Sequence, residues 1–248
     1  MDRSNHSVSP SDLDGQLGFG AARPIARRVR LVPALLAAAL FACALPTASA
    51  LEPKPIIDIG RNLGAPPAHF DFLPATEAGQ LPWALVEDAT AAGGIALEQR
   101  STPTTANHFL AVYKPASVKD AEISARIKAT GDGDQGGGIA LRLTAPDSYY
   151  LVEMDARRDR VTFLRVANGD AEEIIAVDAD IATNAWHTLT VRAVDDEFFV
   201  SLDGVWAFTA FDKVLSRAGR VALWTSADGI TRFDSITIAP TSPPAQQW

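Results

Sequence analysis

Beyond its first 50 residues the chain has no cysteine; its one cysteine, Cys43, lies before Ala50. A disulfide framework or a cysteine-ligated zinc site is therefore excluded for everything that follows. Basic charge is scarce as well. Of the 22 Lys and Arg five precede Leu51, and of the 30 Asp and Glu three do, leaving 17 against 27 and a formal net charge of −10. Such a surface repels phosphate backbones and anionic lipid, so no nucleic-acid or membrane-surface partner is expected. No apolar run reaches the ~20 residues of a membrane span; the longest, Leu31 to Pro46, carries Pro33 inside it. The four histidines, His6, His69, His108 and His187, show no HxH or HExxH spacing. There is no Gly-x-Ser-x-Gly elbow for a serine nucleophile, no internal repeat, and little apolar spacing of helical period.

What is present begins with a leader. Arg23, Arg27, Arg28 and Arg30 supply positive charge, the apolar run follows, and Ala48 to Ala50 give small residues at a cleavage site. Residues 1–50 are thus expected to be a signal peptide with an extended polar start, and the mature protein to be periplasmic or secreted. A second reading anchors it as a lipoprotein through Cys43, since Leu40 to Cys43 loosely fits a lipobox, with the bulky Phe41 fitting poorly. Residues 51–82 read as an N-terminal arm contributing one early strand, 83–239 as one β domain, and 240–248 as a proline-rich tail.

Within 83–239 the pattern has period two. Ala121, Ile123, Ala125, Ile127 and Ala129 alternate with Glu122, Ser124, Arg126 and Lys128. Ile139, Leu141 and Leu143 alternate with Ala140, Arg142 and Thr144, and Tyr150, Val152 and Met154 with Tyr149, Leu151, Glu153 and Asp155. Asn168-Gly169 and Asp203-Gly204 suit hairpin turns of positive φ, and Asp195-Asp196 marks another tight connection. About ten strands with turns roughly every 8–12 residues predict an antiparallel sandwich or barrel. Only Phe211 to Gly219 and Asp180 to Ala185 leave room for a helical turn. Trp186 and Trp206 are expected to fill the space between sheets, His187 to lie on the surface, and Asp234 to bond backbone groups at strand ends.

The segments WHTLTVRAVDDEFFVSLDG and GRVALWTSADGITRFDSITI, with GGGIALRLTAPDSYYLVEMDA before them, resemble the concanavalin A-like jelly rolls. Within that group they look most like laminin G-like and keto-disaccharide hydrolase domains of bacterial exported proteins. The resemblance covers Trp83 to Ile238. It implies an all-β, antiparallel two-sheet jelly-roll sandwich, expected to be monomeric. It is poor evidence of activity, because the same sandwich hosts sugar-binding modules, lyases, glycosidases and adhesion domains.

Direction along the strands nominates a site. If the apolar residues face the core, Arg126, Arg142, Tyr149, Glu153, Asp155 and Trp224 point outward onto the polar face of a curved sheet, with His108 within reach. An aromatic ring with Arg and carboxyl groups suits a glycan or small sugar ligand; cross-strand ion pairs on a solvated face are the alternative. Glu153 and Asp155 are also candidate catalytic carboxyls of a glycoside hydrolase acting on a keto-disaccharide, as the resemblance implies. Their Cα separation of ~6.6–7 Å on a strand is compatible with the ~5–9.5 Å such pairs span. Against this, Arg157 stands where jelly-roll glucanases place a further glutamate, and the similar domains carry a basic or amide residue near position 153. A non-catalytic envelope or adhesion domain is the third reading.

The stretch GDGDQGGG, Gly131 to Gly138, has no Lys for a phosphate cradle and opens a strand. It reads as a hairpin loop followed by a glycine strand start. Asp132 and Asp134 are the candidate metal ligands, with calcium the option their oxygen donors suit. The stretch does not match an EF-hand.

Overall fold

The computed structural model describes residues 56–74, 82–100, 107–131, 133 and 135–241. The expected leader, residues 1–50, with Cys43, the metal candidates Asp132 and Asp134, and the residues beyond Thr241 lie outside the described residues. Among the described residues fourteen strands are formed: β1 (Phe70–Leu73), β2 (Trp83–Glu87), β3 (Ile95–Gln99), β4 (His108–Val118), β5 (Ala121–Thr130), β6 (Gly136–Ala145), β7 (Ser148–Asp155), β8 (Arg160–Ala167), β9 (Asp170–Asp178), β10 (His187–Val194), β11 (Glu197–Leu202), β12 (Val205–Phe211), β13 (Gly219–Ser226) and β14 (Ile230–Pro240). There is no helix among the described residues, so none is long and apolar enough to cross a membrane. The two segments that left room for a helical turn are irregular.

The strands make two seven-stranded antiparallel sheets. The first runs β1-β4-β13-β6-β7-β8-β9 and the second β12-β11-β10-β5-β14-β3-β2. The early strand of the arm is β1, paired with β4 at the margin of the first sheet. Ile123, Ala125 and Ile127 of β5 face Val152, Met154 and Phe163 of the first sheet in one continuous core. Period-two alternation produces this directly, since every second side chain of a strand meets the opposite sheet. The turns are those the sequence predicts: Asn168, Asp195 and Asp203 have φ of 52°, 52° and 51°, and each opens a tight connection between neighbouring strands.

Three expectations about core residues are corrected. Trp206 is 67% exposed, because a bulge opposite Val200 and Ser201 changes the phase of β12. Trp186 lies on the outward face of the second sheet, its ring under the Arg126 guanidinium and the Lys128 ammonium at 4.9 and 5.0 Å. The tryptophan that fills the interior is Trp83, buried beside Phe72 and Phe233. His187 is buried rather than superficial, held by the Asp203 carboxyl at 2.7 Å and the Ala182 carbonyl at 3.0 Å. Asp234 does bond backbone: its Oδ2 accepts the Ala92 N–H at 2.7 Å.

The largest correction concerns Arg142. It was expected to point outward, yet it is 1% exposed. Register slips between Leu141 and Ala145 on one flank and between Ala140 and Leu143 on the other, with Arg142 at φ 51°. This extra residue reverses the alternation midway along β6. Leu141 stays in the central core, whereas Leu143 joins the outward-facing cluster. The Arg142 guanidinium turns in above the Phe198 ring, 5.0 Å from its centroid.

Candidate functional site

The face of the first sheet directed away from the second is more apolar than the sequence led us to expect. Leu110, Val112, Ala140, Leu143, Tyr149, Leu151, Val166 and Ala222 form a second apolar cluster there. Polar and aromatic groups gather at one end of it. Strand pairing places Trp224 of β13 opposite Gly138 of β6, and Gly138 opposite Glu153 of β7. One row therefore reads Trp224, Gly138, Glu153. Because Gly138 has no side chain, the row has a gap in its middle with an indole on one side and a carboxyl on the other.

Gly136 widens the gap. A Cβ at Gly136 would stand 2.9 Å from Glu153 Oε1, 3.5 Å from Trp224 Cζ3 and 3.6 Å from Ser226 Oγ. The three side chains thus converge over a glycine floor. Gly138 is held bare for a second reason: its Cβ would lie 2.4 Å from the Val152 carbonyl oxygen, a backbone atom of the adjoining strand. The glycine run is accordingly the floor of a slot. Gln135 donates its side-chain N–H to the Gly131 carbonyl at 2.8 Å. Among the described residues no group of three or more His, Cys, Asp or Glu could hold a metal ion.

Aromatic groups extend the slot. The His108 ring stacks on Trp224 at 6.1 Å and 20° and meets Tyr149 edge-on at 6.3 Å. The Tyr149 hydroxyl lies 3.3 Å from His108 Nε2. Burial pushes the Tyr149 phenol up to about 12, counteracted by a hydrogen bond from the Trp224 indole N–H, and burial lowers the imidazole of His108. The downward direction at His108 and the upward one at Tyr149 both favour the uncharged forms, which suits hydroxyl partners rather than ions. Beyond His108 a recess of about 370 Å³ is lined, among the described residues, by Leu73, Pro74, Asn107, His108, Leu110 and Pro146.

Of the residues nominated from sequence, His108, Tyr149, Glu153 and Trp224 come together here. Three do not. Arg142 is inside the sandwich. Arg126 points outward but from the second sheet, where it pairs with Asp234 at 3.0 Å. Asp155 borders the slot, yet its Oδ1 accepts the backbone N–H groups of Arg157 and Arg158 at 2.9 and 3.1 Å, and its Oδ2 pairs with Arg158. That carboxyl closes the β7–β8 turn. Ser226, Gly136 and Gly138 were missed as site residues. The signal for Ser226 was present, since it lies two residues after Trp224 and so on the same face.

No protein-family model matches the chain, and no curated protein matches it. Among solved structures it is similar to the carbohydrate binding module CBM66 from Bacillus subtilis, at 23% identity over 65% of this chain and 97% of that one, with a TM-score of 0.52. It is similar to the Bacillus licheniformis β-glucanase at 12% identity over 76% and 97%, TM-score 0.50. It is also similar to the cellulose induced protein Cip1 at 14% identity over 71% and 94%, TM-score 0.52. At these identities the likeness is one of fold, and the fold is the concanavalin A-like jelly-roll sandwich.

Proposed function

We propose that this protein recognises a carbohydrate, with one sugar ring seated in the slot between Trp224 and Glu153. The observation that carries this reading is the cross-strand row of indole, glycine and carboxyl. A pyranose or furanose ring presents an apolar face and a rim of hydroxyls. The first fits against an indole, the second against Glu153 and Ser226, and the glycine floor admits the ring's thickness. The names of the similar structures, a carbohydrate binding module and a glucanase, point to the same ligand class. The leader-like residues 1–50 support placing this activity outside the cytoplasm. Binding is better supported than hydrolysis, because Asp155 is engaged by the turn and is no free second acid for Glu153.

Glycan-array screening followed by calorimetry tests the proposal. Trp224→Ala should weaken the best sugar by on the order of thirtyfold or more, the loss expected for a central aromatic anchor. Gly136→Ala should reduce binding with little change in melting temperature, because the one tight contact of its new methyl is with the far end of the Glu153 side chain, Trp224 and Ser226 standing at ordinary contact distance. Unchanged affinity in both variants would place the ligand elsewhere or remove it.

A further inference from the structure

The row that carries the slot continues past Trp224. Strand pairing extends it from Trp224 to Leu110 of β4, and from Leu110 to Leu73 of β1. Across five strands it therefore reads Leu73, Leu110, Trp224, Gly138, Glu153. Neighbouring strands lie ~4.8 Å apart, so Trp224 to Glu153 spans about 10 Å and Leu73 to Trp224 about as much again. The first span accommodates one sugar ring. The second holds the recess of about 370 Å³ beside His108. Leu73 and Trp224 both pack against the outward-facing apolar cluster that contains Leu110. His108 belongs to both halves, since its ring stacks on Trp224 and also lines the recess.

The chemistry changes along the row. Among the described residues the recess is lined by apolar Leu73, Pro74, Leu110 and Pro146, with polar side chains only from Asn107 and His108 and no carboxylate, ammonium or guanidinium. A second sugar ring seated there would bring more hydroxyls than these two side chains can satisfy, and a buried hydroxyl without a partner costs free energy. An aliphatic chain needs no partner and gains by leaving water. We propose that the ligand is an amphipathic glycoside, its sugar ring in the slot and an aliphatic chain carried by that ring in the recess lined by Leu73, Leu110 and Pro146. This rests on the carbohydrate reading of the slot and names what the sugar carries. The row also sets the direction of the ligand. Its hydroxyl rim faces Glu153, and the substituent leaves the ring on the Trp224 side, passes His108 and ends against Leu73.

Calorimetry on the full chain tests this with the methyl and n-octyl glycosides of the sugar that the glycan array selects, both kept below micelle formation. The octyl glycoside should bind on the order of tenfold or more tighter than the methyl one, because burying a few methylenes suffices for that gain. Leu73→Asn should bring the two affinities within about twofold of each other by wetting the recess, and should leave the methyl glycoside's own affinity unchanged. Pro146→Asp should do the same independently; Pro146 is exposed, so this variant serves if Leu73→Asn fails to fold. Trp224→Ala should weaken both glycosides alike, which separates the sugar ring from its substituent. A sugar that binds with no gain from the octyl chain overturns the proposal and leaves the slot standing. So does a gain that survives both recess variants, and so does free n-octanol binding as tightly as the octyl glycoside. Binding of both glycosides unaffected by Trp224→Ala overturns slot and recess together.

Discussion

Arg142→Leu is expected to cost about 3–5 kcal/mol of folding free energy, the loss typical of removing one member of a buried charged network. Chemical denaturation, read as the midpoint shift at constant slope, measures it. The cost follows from what Arg142 holds. Its Nε donates to the Lys119 carbonyl at 3.0 Å and one terminal nitrogen to the Leu215 carbonyl at 3.2 Å. The other terminal nitrogen donates to the Asp195 carbonyl and lies 3.4 Å from the Asp120 carboxyl. Four chain segments are thereby tied across the end of the sandwich. Leucine supplies volume but leaves these acceptors without donors, and a buried acceptor without a partner costs its full desolvation. Lysine should rescue little, because one ammonium cannot reproduce a planar fork. Arg142→Gly separates bonding from backbone strain. Glycine accepts a φ of 51° freely, so the amount by which it outperforms leucine, after allowing for lost packing, reports strain at this position. A midpoint unmoved in Arg142→Leu would mean that the network contributes no net stability.

Arg142 also marks where sequence reasoning stops. Alternation states the direction of a side chain only while the register is unbroken. β5 and β7 keep theirs, and the core faces read for them, Ala121 to Ala129 and Tyr150, Val152 and Met154, are the buried ones. β6 gains one residue in mid-strand, and nothing in Ala-Leu-Arg-Leu-Thr announces it, because the apolar residues on both sides of the bulge alternate as before. The cause is tertiary. A Cβ at Gly219 of β13 would lie 2.4 Å from the Arg142 carbonyl carbon, so the bulge fits only against a glycine 77 positions later. Arg126 illustrates a second limit. Its outward direction was correct, but alternation is silent on which sheet a strand joins. β5 and β6 are consecutive in the chain and lie in different sheets. His108, Tyr149, Glu153 and Trp224 lie near one another because β4, β13, β6 and β7 are neighbours in one sheet, an order that periodicity does not state.

The second large effect is expected at Asp88, on the opposite side of the sandwich from the slot. Its side chain is 4% exposed and bonded to the Lys128 ammonium and to Arg232, the latter at 2.9 Å. Its other oxygen accepts the Thr90 N–H at 2.9 Å and the Thr90 hydroxyl at 2.6 Å. Burial alone would raise this carboxyl's pKa, but the bonds from Lys128, Thr90 and Arg232 outweigh it and hold the group well below the usual carboxylate range. Asp88→Asn should therefore cost about 3–5 kcal/mol at neutral pH, since it leaves Lys128, with its side chain 8% exposed, short of its counter-charge. Lys128→Met should cost less, because Arg232 still faces the carboxylate, and the double variant should cost less than the two singles summed. The pH dependence has a definite sign. A carboxyl whose pKa is lower folded than unfolded contributes stability fully above the unfolded value, here 3.8, and loses it as pH falls toward the folded one. Between about pH 6 and about pH 3 the wild type should therefore lose stability faster than Asp88→Asn, and the gap between them should narrow. Equal losses over that range would show that the carboxylate is no more favoured in the folded chain than in the unfolded one, and the ion pairs would then be geometry without net stabilisation.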